Sequence, residues 1–138
     1  MRPNAKSYFI FFDERNPKAK SWAKKISGWI KKNQKKIKEN SKNPDLLIIL
    51  GGDGTILQGA RQFEKYSPKI LALNLGRVGF LASVRENDKF LRYIKQFFVG
   101  DFILENRNIL EVSVQRGKKE VCRDIAVNEV AIQNPLGM

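Results

Sequence analysis

A chain of 138 residues, 42% hydrophobic and 29% charged, is long enough for one folded domain with a real core, and no apolar run in it approaches the roughly 20 residues of a membrane helix. It has no histidine and a single cysteine, Cys122, which excludes Ser-His and Cys-His nucleophile systems, histidine-ligated zinc, thiolate metal sites and any disulfide within the chain. Acid–base work near neutral pH falls to carboxylates, lysine or tyrosine, and a net charge of +12 favours anionic partners: nucleotides, polyphosphate, nucleic acid or acidic lipid.

Met1 to Phe12 carries a basic residue and an apolar patch, but the patch is short and ends at Asp13 and Glu14, so it does not read as a signal peptide. Within it, Lys6 to Phe12 is dense in aromatic and β-prone residues and predicts a first strand. Asn16-Pro17 then marks a helix start. From Ala19, the apolar residues Trp22, Ala23, Ile26, Trp29, Ile30 and Ile37 recur at helical spacing. Lys20, Lys24, Lys25, Lys31, Lys32, Lys35, Lys36 and Lys38 stand between them. This predicts an amphipathic helix whose lysine stems shield apolar surface and whose outer face is solvated. Nucleic-acid or anionic-membrane binding is the sharper alternative, and no arginine or aromatic residue on the polar side supports it. Asn40 to Pro44 reads as a loop.

Leu46 to Leu57, LLIILGGDGTIL, is the stretch around which the rest is organised. An apolar run closed by glycines suits a buried parallel strand, which needs no polar alternation because both faces are covered. Gly51, Gly52 and Gly54 are expected to allow backbone angles and close approaches that a Cβ would forbid. The following helix is expected to begin at Thr55, with Gln58 completing a Thr-x-x-Gln capping box, which leaves Asp53 on the turn. Backbone N–H groups and the positive helix end favour phosphate at such a turn. A carboxylate there would repel phosphate unless a cation or a reacting hydroxyl lay between them, so Asp53 suggests chemistry on a hydroxyl beside a phosphate. A plain turn is the alternative, since Asp and Gly are turn residues anyway. The pattern G-x-x-x-x-G-K-[ST] occurs nowhere, and G-x-G-x-x-G fails because Leu57 stands where its third glycine belongs.

Ile56, Leu57, Ala60 and Phe63 continue the helix to about Tyr66, and Ser67-Pro68 ends it. Ile70 to Leu75 predicts a third strand opening into a second glycine loop, Asn74 to Leu81. Alternating strands and helices imply a right-handed parallel α/β layout with ligands at the carboxyl ends of the strands, so both glycine loops should face one crevice. Arg77 would meet phosphate there; Phe80 would pack against a base, or else anchor the core. Phe90, Leu91, Ile94, Phe97 and Phe98 form another helical stripe ending near Gly100. The pattern then changes. Leu110, Val112 and Val114 alternate with polar residues, Arg116-Gly117-Lys118 looks like a turn, and Val121, Ile125, Val127, Val130 and Ile132 continue as strand. Cys122 is expected there as a small half-buried strand residue. Antiparallel β after α/β predicts a second domain. The expected organisation is therefore an α/β domain over 1–100 and the start of a β-rich domain over 101–138, whose unpaired hairpin would be marginal by itself.

GGDGTIL at Gly51 to Leu57, NLGRVGFL at Asn74 to Leu81, RNIL at Arg107 to Leu110 and NEV at Asn128 to Val130, in this order, resemble the NAD kinases. GGDGT by itself is also seen in diacylglycerol and sphingosine kinases and in phosphofructokinases; the N-x-G-x-x-G-F-L loop with the Asn-Glu pair is far more specific. The resemblance runs along essentially the whole chain but covers about the first half of the family's usual length. It implies a three-layer parallel nucleotide-binding domain of the NAD kinase and diacylglycerol kinase type, followed by the first strands of a truncated β-rich domain. It also implies phosphoryl transfer from ATP or inorganic polyphosphate to the 2′-hydroxyl of the adenosine ribose of NAD, giving NADP.

By that resemblance Asp53 would be the base that activates the hydroxyl, and Gly52 and Gly54 would line the phosphates. Leu57 and Phe80 would border the dinucleotide, and Asn128 and Glu129 would hold its adenosine or ribose end. Thr55, Asn74, Gly76 and Arg77 join the expected binding residues. Mg2+ is expected on the nucleotide phosphates, with no protein-built metal site. Two polar positions on a strand remain the plainer reading of Asn128 and Glu129. Ala82-Ser83 departs from the small-then-acidic pair often found after G-F-L. The expected setting is cytoplasmic, without membrane or nucleic acid, as a homo-oligomer or with a chain that completes the β-rich half; without that half the chain should be inactive. The alternatives are a lipid kinase domain, or a non-catalytic basic module that binds nucleotide or nucleic acid.

Overall fold

In the computed structural model, which describes residues 5–76 and 79–133, the chain divides into two units, 1–103 and 104–138. In the first, strands β1 (Ser7–Phe12), β2 (Lys38–Glu39), β3 (Leu46–Gly51) and β4 (Lys69–Asn74) form a parallel sheet ordered β2-β1-β3-β4. β1 pairs with β3 from Tyr8↔Leu46 to Phe12↔Leu50, and β3 with β4 from Leu46↔Lys69 to Gly51↔Asn74.

Every residue of β3 is buried because helices cover both faces of the sheet, which is why its sequence shows no polar alternation. Its pleat sends Leu46, Ile48 and Leu50 to one face and Leu47 and Ile49 to the other. Burial of each such side chain stabilises the fold by roughly 1.5–3 kcal/mol. Helices α1 (Pro17–Asn33) and α3 (Phe90–Val99) cover the first face with Ala19, Ala23, Ile26 and Ile30 and with Phe90, Ile94 and Phe97. Trp22 meets the Phe90 ring edge-on at 5.1 Å, and Trp29 meets Phe98 at 6.0 Å. Helix α2 (Asp53–Phe63) covers the other face, its Phe63 ring 5.6 Å from Phe9 and 6.1 Å from Phe11. This is the expected three-layer α/β arrangement.

α1 begins where Asn16-Pro17 places it, the Asn16 side chain accepting from the backbone N–H of Lys18 and Ala19 at 3.0 and 3.1 Å. It ends sooner than the lysine-rich pattern predicts. Ile37 lies beyond it, donating its N–H to the Gln34 carbonyl at 2.9 Å, and Lys38 and Glu39 become the edge strand β2 against Ser7 and Tyr8. No glycine or proline marks that turn, and Ile37 packs on the core all the same, so periodicity misses the break. The outer lysines of α1 are exposed as expected. At the same end of β1, Asp45 Oδ2 accepts from Lys6 N, Ser7 N and Ser7 Oγ at 2.8, 2.9 and 2.9 Å, tying the starts of β1 and β3.

In the second unit, β5 (Ile109–Arg116) and β6 (Lys119–Val127) form an antiparallel hairpin whose turn includes Gly117 at φ 62°, a left-handed conformation that glycine adopts freely. Leu110, Val114 and Cys122 on the hairpin are exposed, so the half-buried place expected for Cys122 is not found. Among the described residues of this unit none is buried, so that face has no cover within it. Val130 and Ile132, expected to extend the strand, lie beyond β6 and are exposed. The strand stops because Asn128 turns left-handed, φ 75°, and leaves the ladder.

Candidate functional site

The sheet presents its carboxyl ends at Phe12, Gly51 and Asn74, and the loops leaving the last two meet. Leu75 donates its N–H to the Gly51 carbonyl at 3.3 Å, and a Cβ on Gly76 would come within 3.9 Å of Gly52 Cα. Asn74, 2% exposed, accepts the Gly76 N–H on its Oδ1 at 2.7 Å, an Asx turn that folds the second loop toward the first. β4 is held in turn by Val84, which bridges Leu73, and by Ser83 Oγ, which accepts the Ala72 N–H at 3.3 Å. Ser83, where the chain departs from the small-then-acidic pattern, therefore has a hydroxyl-to-backbone contact of its own.

α2 begins at Asp53, two residues before Thr55, and the expected capping box is not formed. Gly52 is the N-cap and no side chain caps the helix. Extended backbone at Gly52 starts the helix at once, and an aspartate in the first turn suits the positive helix end. Thr55 instead lies over Gly51, where a Cβ would come within 2.6 Å of the threonine Cβ and Oγ1. Closeness is what requires glycine at 51, whereas Gly52 is extended, with φ −85° and ψ −177°, and takes no left-handed angle. A Cβ on Gly52 or Gly54 would meet nothing within 4 Å, so the space above both is open.

Asp53 is fixed by the second loop. Its Oδ2 accepts the Phe80 N–H at 3.0 Å and its Oδ1 the Leu81 N–H at 3.4 Å. Gly79 presses on the same carboxylate so closely that a Cβ there would stand 2.3 Å from Oδ1 and 2.8 Å from Cγ. A carboxylate offers about four lone-pair sites, so two N–H donors leave it able to take a further proton. Phe80 is 84% exposed, which rules out the core-anchor alternative and leaves its ring face free. Leu57 is partly buried on α2.

The first unit thus brings together Gly52, Asp53, Gly54, Thr55, Asn74, Gly76 and Phe80, with Leu57 further along α2, while Arg77 lies outside the described residues. Asn128 and Glu129 belong to the second unit, just past β6 and so not on a strand. Two contributors were not singled out in the sequence. Gly79 is signalled by the glycine spacing of its loop, whereas Asn87, in the 3₁₀ turn Asn87–Lys89, whose amide donates to the Asn74 carbonyl at 2.8 Å, has no local signal.

Comparison with known proteins follows the same residues. A family model described as the ATP-NAD kinase N-terminal domain matches residues 4–102. The NAD kinase of Natranaerobius thermophilus is 40% identical over 88 residues, 64% of this chain and 30% of the relative. That of Rhodopirellula baltica is 40% identical over 95 residues, 69% of this chain and 30% of the relative. The chain spans about 30% of the length of these curated relatives. Among solved structures, yeast NADH kinase complexed with NADH superposes with a TM-score of 0.72 at 17% identity, covering 92% of this chain and 50% of that one; the likeness is one of fold. With most of its length matched by the family's amino-terminal domain, the chain belongs to the NAD kinase family.

Proposed function

We propose that this chain carries the phosphate-binding and catalytic-carboxylate part of a cytoplasmic NAD kinase. The reaction is phosphoryl transfer from ATP or inorganic polyphosphate to the 2′-hydroxyl of the adenosine ribose of NAD, giving NADP. The observation that supports it best is the Asp53 carboxylate, held by two backbone N–H groups at the start of α2 beside the open space over Gly52 and Gly54. Phosphoryl transfer asks a protein mainly for positioning, charge neutralisation and a group to take the hydroxyl proton. As the ribose oxygen bonds to the terminal phosphorus and the bond to the leaving phosphate breaks, the hydroxyl proton passes to Asp53.

The uncapped first turn of α2 and the bare glycines suit close approach of phosphate oxygens to backbone N–H groups. Mg2+ enters as part of the phosphate substrate. Mg2+ on nucleotides is held largely by phosphate and water, with one or two carboxylates. The exposed Phe80 ring stacks on a base, and Leu57 borders the dinucleotide. Asn128 and Glu129 hold the adenosine or ribose end. The exposed hairpin fits a β-rich remainder, supplied by a longer chain, a partner or an oligomer, and NADP formation requires it. No helix among the described residues is long and apolar enough to cross a membrane.

The test is Asp53→Ala in the enzyme that contains this chain. Loss of a general base should lower NADP formation by about 10²–10⁴-fold, with NAD affinity within about threefold of wild type. Unchanged turnover would remove Asp53 from the chemistry. Measurable NADP formation by the purified 138-residue chain would sink the requirement for the remainder.

A further inference from the structure

Lys18 stands in the first turn of α1, and its ammonium is drawn to the carboxyl end of the sheet by a contact outside the carboxylate and glycine turn. With the Asn87 amide in the orientation that satisfies both neighbours, Lys18 Nζ donates to Asn87 Oδ1 at 2.7 Å, and Asn87 Nδ2 donates to the Asn74 carbonyl at 2.8 Å. Asn74 closes β4 and takes the Gly76 N–H at 2.7 Å, and Gly76 stands against Gly52. A continuous series of contacts therefore joins this lysine to the open glycine turn.

Some cations of the same unit are neutralised by carboxylates. Arg15 is paired with Asp13 at 2.8 Å, Lys31 with Glu39 at 3.1 Å and Lys89 with Glu86 at 2.7 Å. Lys18 meets a neutral amide, which positions an ammonium without neutralising it. An exposed lysine on a helix is usually free to swing through solvent; here a buried strand end, through Asn87, gives the head group a fixed place. A compact ammonium so placed suits the oxygens of a phosphate chain as a point charge.

Resting on the phosphoryl-transfer reading above, we infer that Lys18 binds the phosphate chain of the donor, with Asn87 as its positioning residue. The shared chemistry is a run of linked phosphates, which a nucleoside triphosphate and inorganic polyphosphate both present.

Calorimetric titration of the 138-residue chain with ATP, with inorganic tripolyphosphate and with NAD, all in excess magnesium, tests this. Loss of a charge-assisted hydrogen bond predicts that Lys18→Met weakens donor binding by about tenfold or more. Lys18→Arg, which keeps the charge, should stay within about threefold, and Lys24→Met, on the same helix, within about twofold. Asn87→Ala should weaken binding less than Lys18→Met, because the ammonium survives without its tether. Loss against both donors assigns the lysine to the phosphate chain, whether its source is nucleotide or inorganic; loss against ATP with no tripolyphosphate binding assigns it to a nucleotide donor. Donor binding untouched by Lys18→Met, or equally weakened by Lys24→Met, overturns the assignment while NAD binding leaves the wider reading standing. A wild-type chain that binds none of the three ligands overturns both.

Discussion

At the scale of single residues, the candidate base is placed by its neighbours more than by its own turn. The Asp53 side chain reaches across to the Phe80 and Leu81 N–H groups, and it does so over Gly79, where any Cβ would overlap the carboxylate at 2.3 Å. Gly79→Ala should therefore displace the Asp53 carboxylate. A displacement of about 1 Å is enough to cost roughly a hundredfold in turnover. The measurement is the kcat of NADP formation beside the thermal midpoint. A kcat loss of that size with the NAD affinity nearly kept is expected; unchanged kcat would show that the loop does not set the position of the base. Asp53 is conspicuous in the sequence because glycines surround it after a buried strand. Its partners are not, since backbone N–H groups 27 and 28 residues away carry no side-chain signature.

At the scale of elements, the sheet is tied at both ends by side chains that accept backbone N–H groups: Asn74 at the carboxyl end and Asp45 at the amino end. Burial pushes the Asp45 carboxyl up, but the Lys6 and Ser7 N–H groups and the Ser7 hydroxyl outweigh it and leave the pKa below its ordinary 3.8. A depressed folded-state pKa stabilises above the unfolded value, and that contribution is lost as pH falls from about 3.8 through the folded value. Asp13, brought down to about 2 by hydrogen bonds from Arg15, acts in the same direction. Asp45→Asn should thus flatten, without abolishing, the acid limb of a stability-against-pH curve from urea unfolding. At neutral pH it should cost about 1 kcal/mol, an ordinary net hydrogen-bond value for an exposed site. An acid limb with the wild-type slope would show that Asp45 is not the tie.

The same scale explains which elements are legible in the sequence. β3 and α2 are plain because burial on both faces and a stripe over the sheet each leave an unmixed pattern. The start of α2 is misread since Thr55 and Gln58 form a capping pattern on paper, while the actual cap is an extended Gly52 with no side-chain bond. The end of α1 is hidden because β2 is two residues of edge strand, chosen by backbone pairing with Ser7 and Tyr8 and by no local propensity.

At the scale of the whole molecule, the two units differ in what supports them. Residues 1–103 hold the buried clusters on both faces of the parallel sheet. The hairpin of 104–138 has backbone pairing, a register shift at Val114/Gln115 and no fully buried residue among those described, and an isolated two-stranded hairpin is marginal in water. The alternating pattern of Leu110, Val112 and Val114 announces strands correctly, but a pattern cannot say whether its apolar face finds a cover. Amide hydrogen exchange on the chain reads this directly. The β3 amides should open only with global unfolding, whereas those of β5 and β6 should exchange at least about a hundredfold faster. Comparable protection in both units, at concentrations low enough to exclude association, would show that the hairpin is stable without a cover. Protection of β5 and β6 that rises with protein concentration would instead identify a second copy as what covers the hairpin, and the oligomer would then be part of this unit's fold.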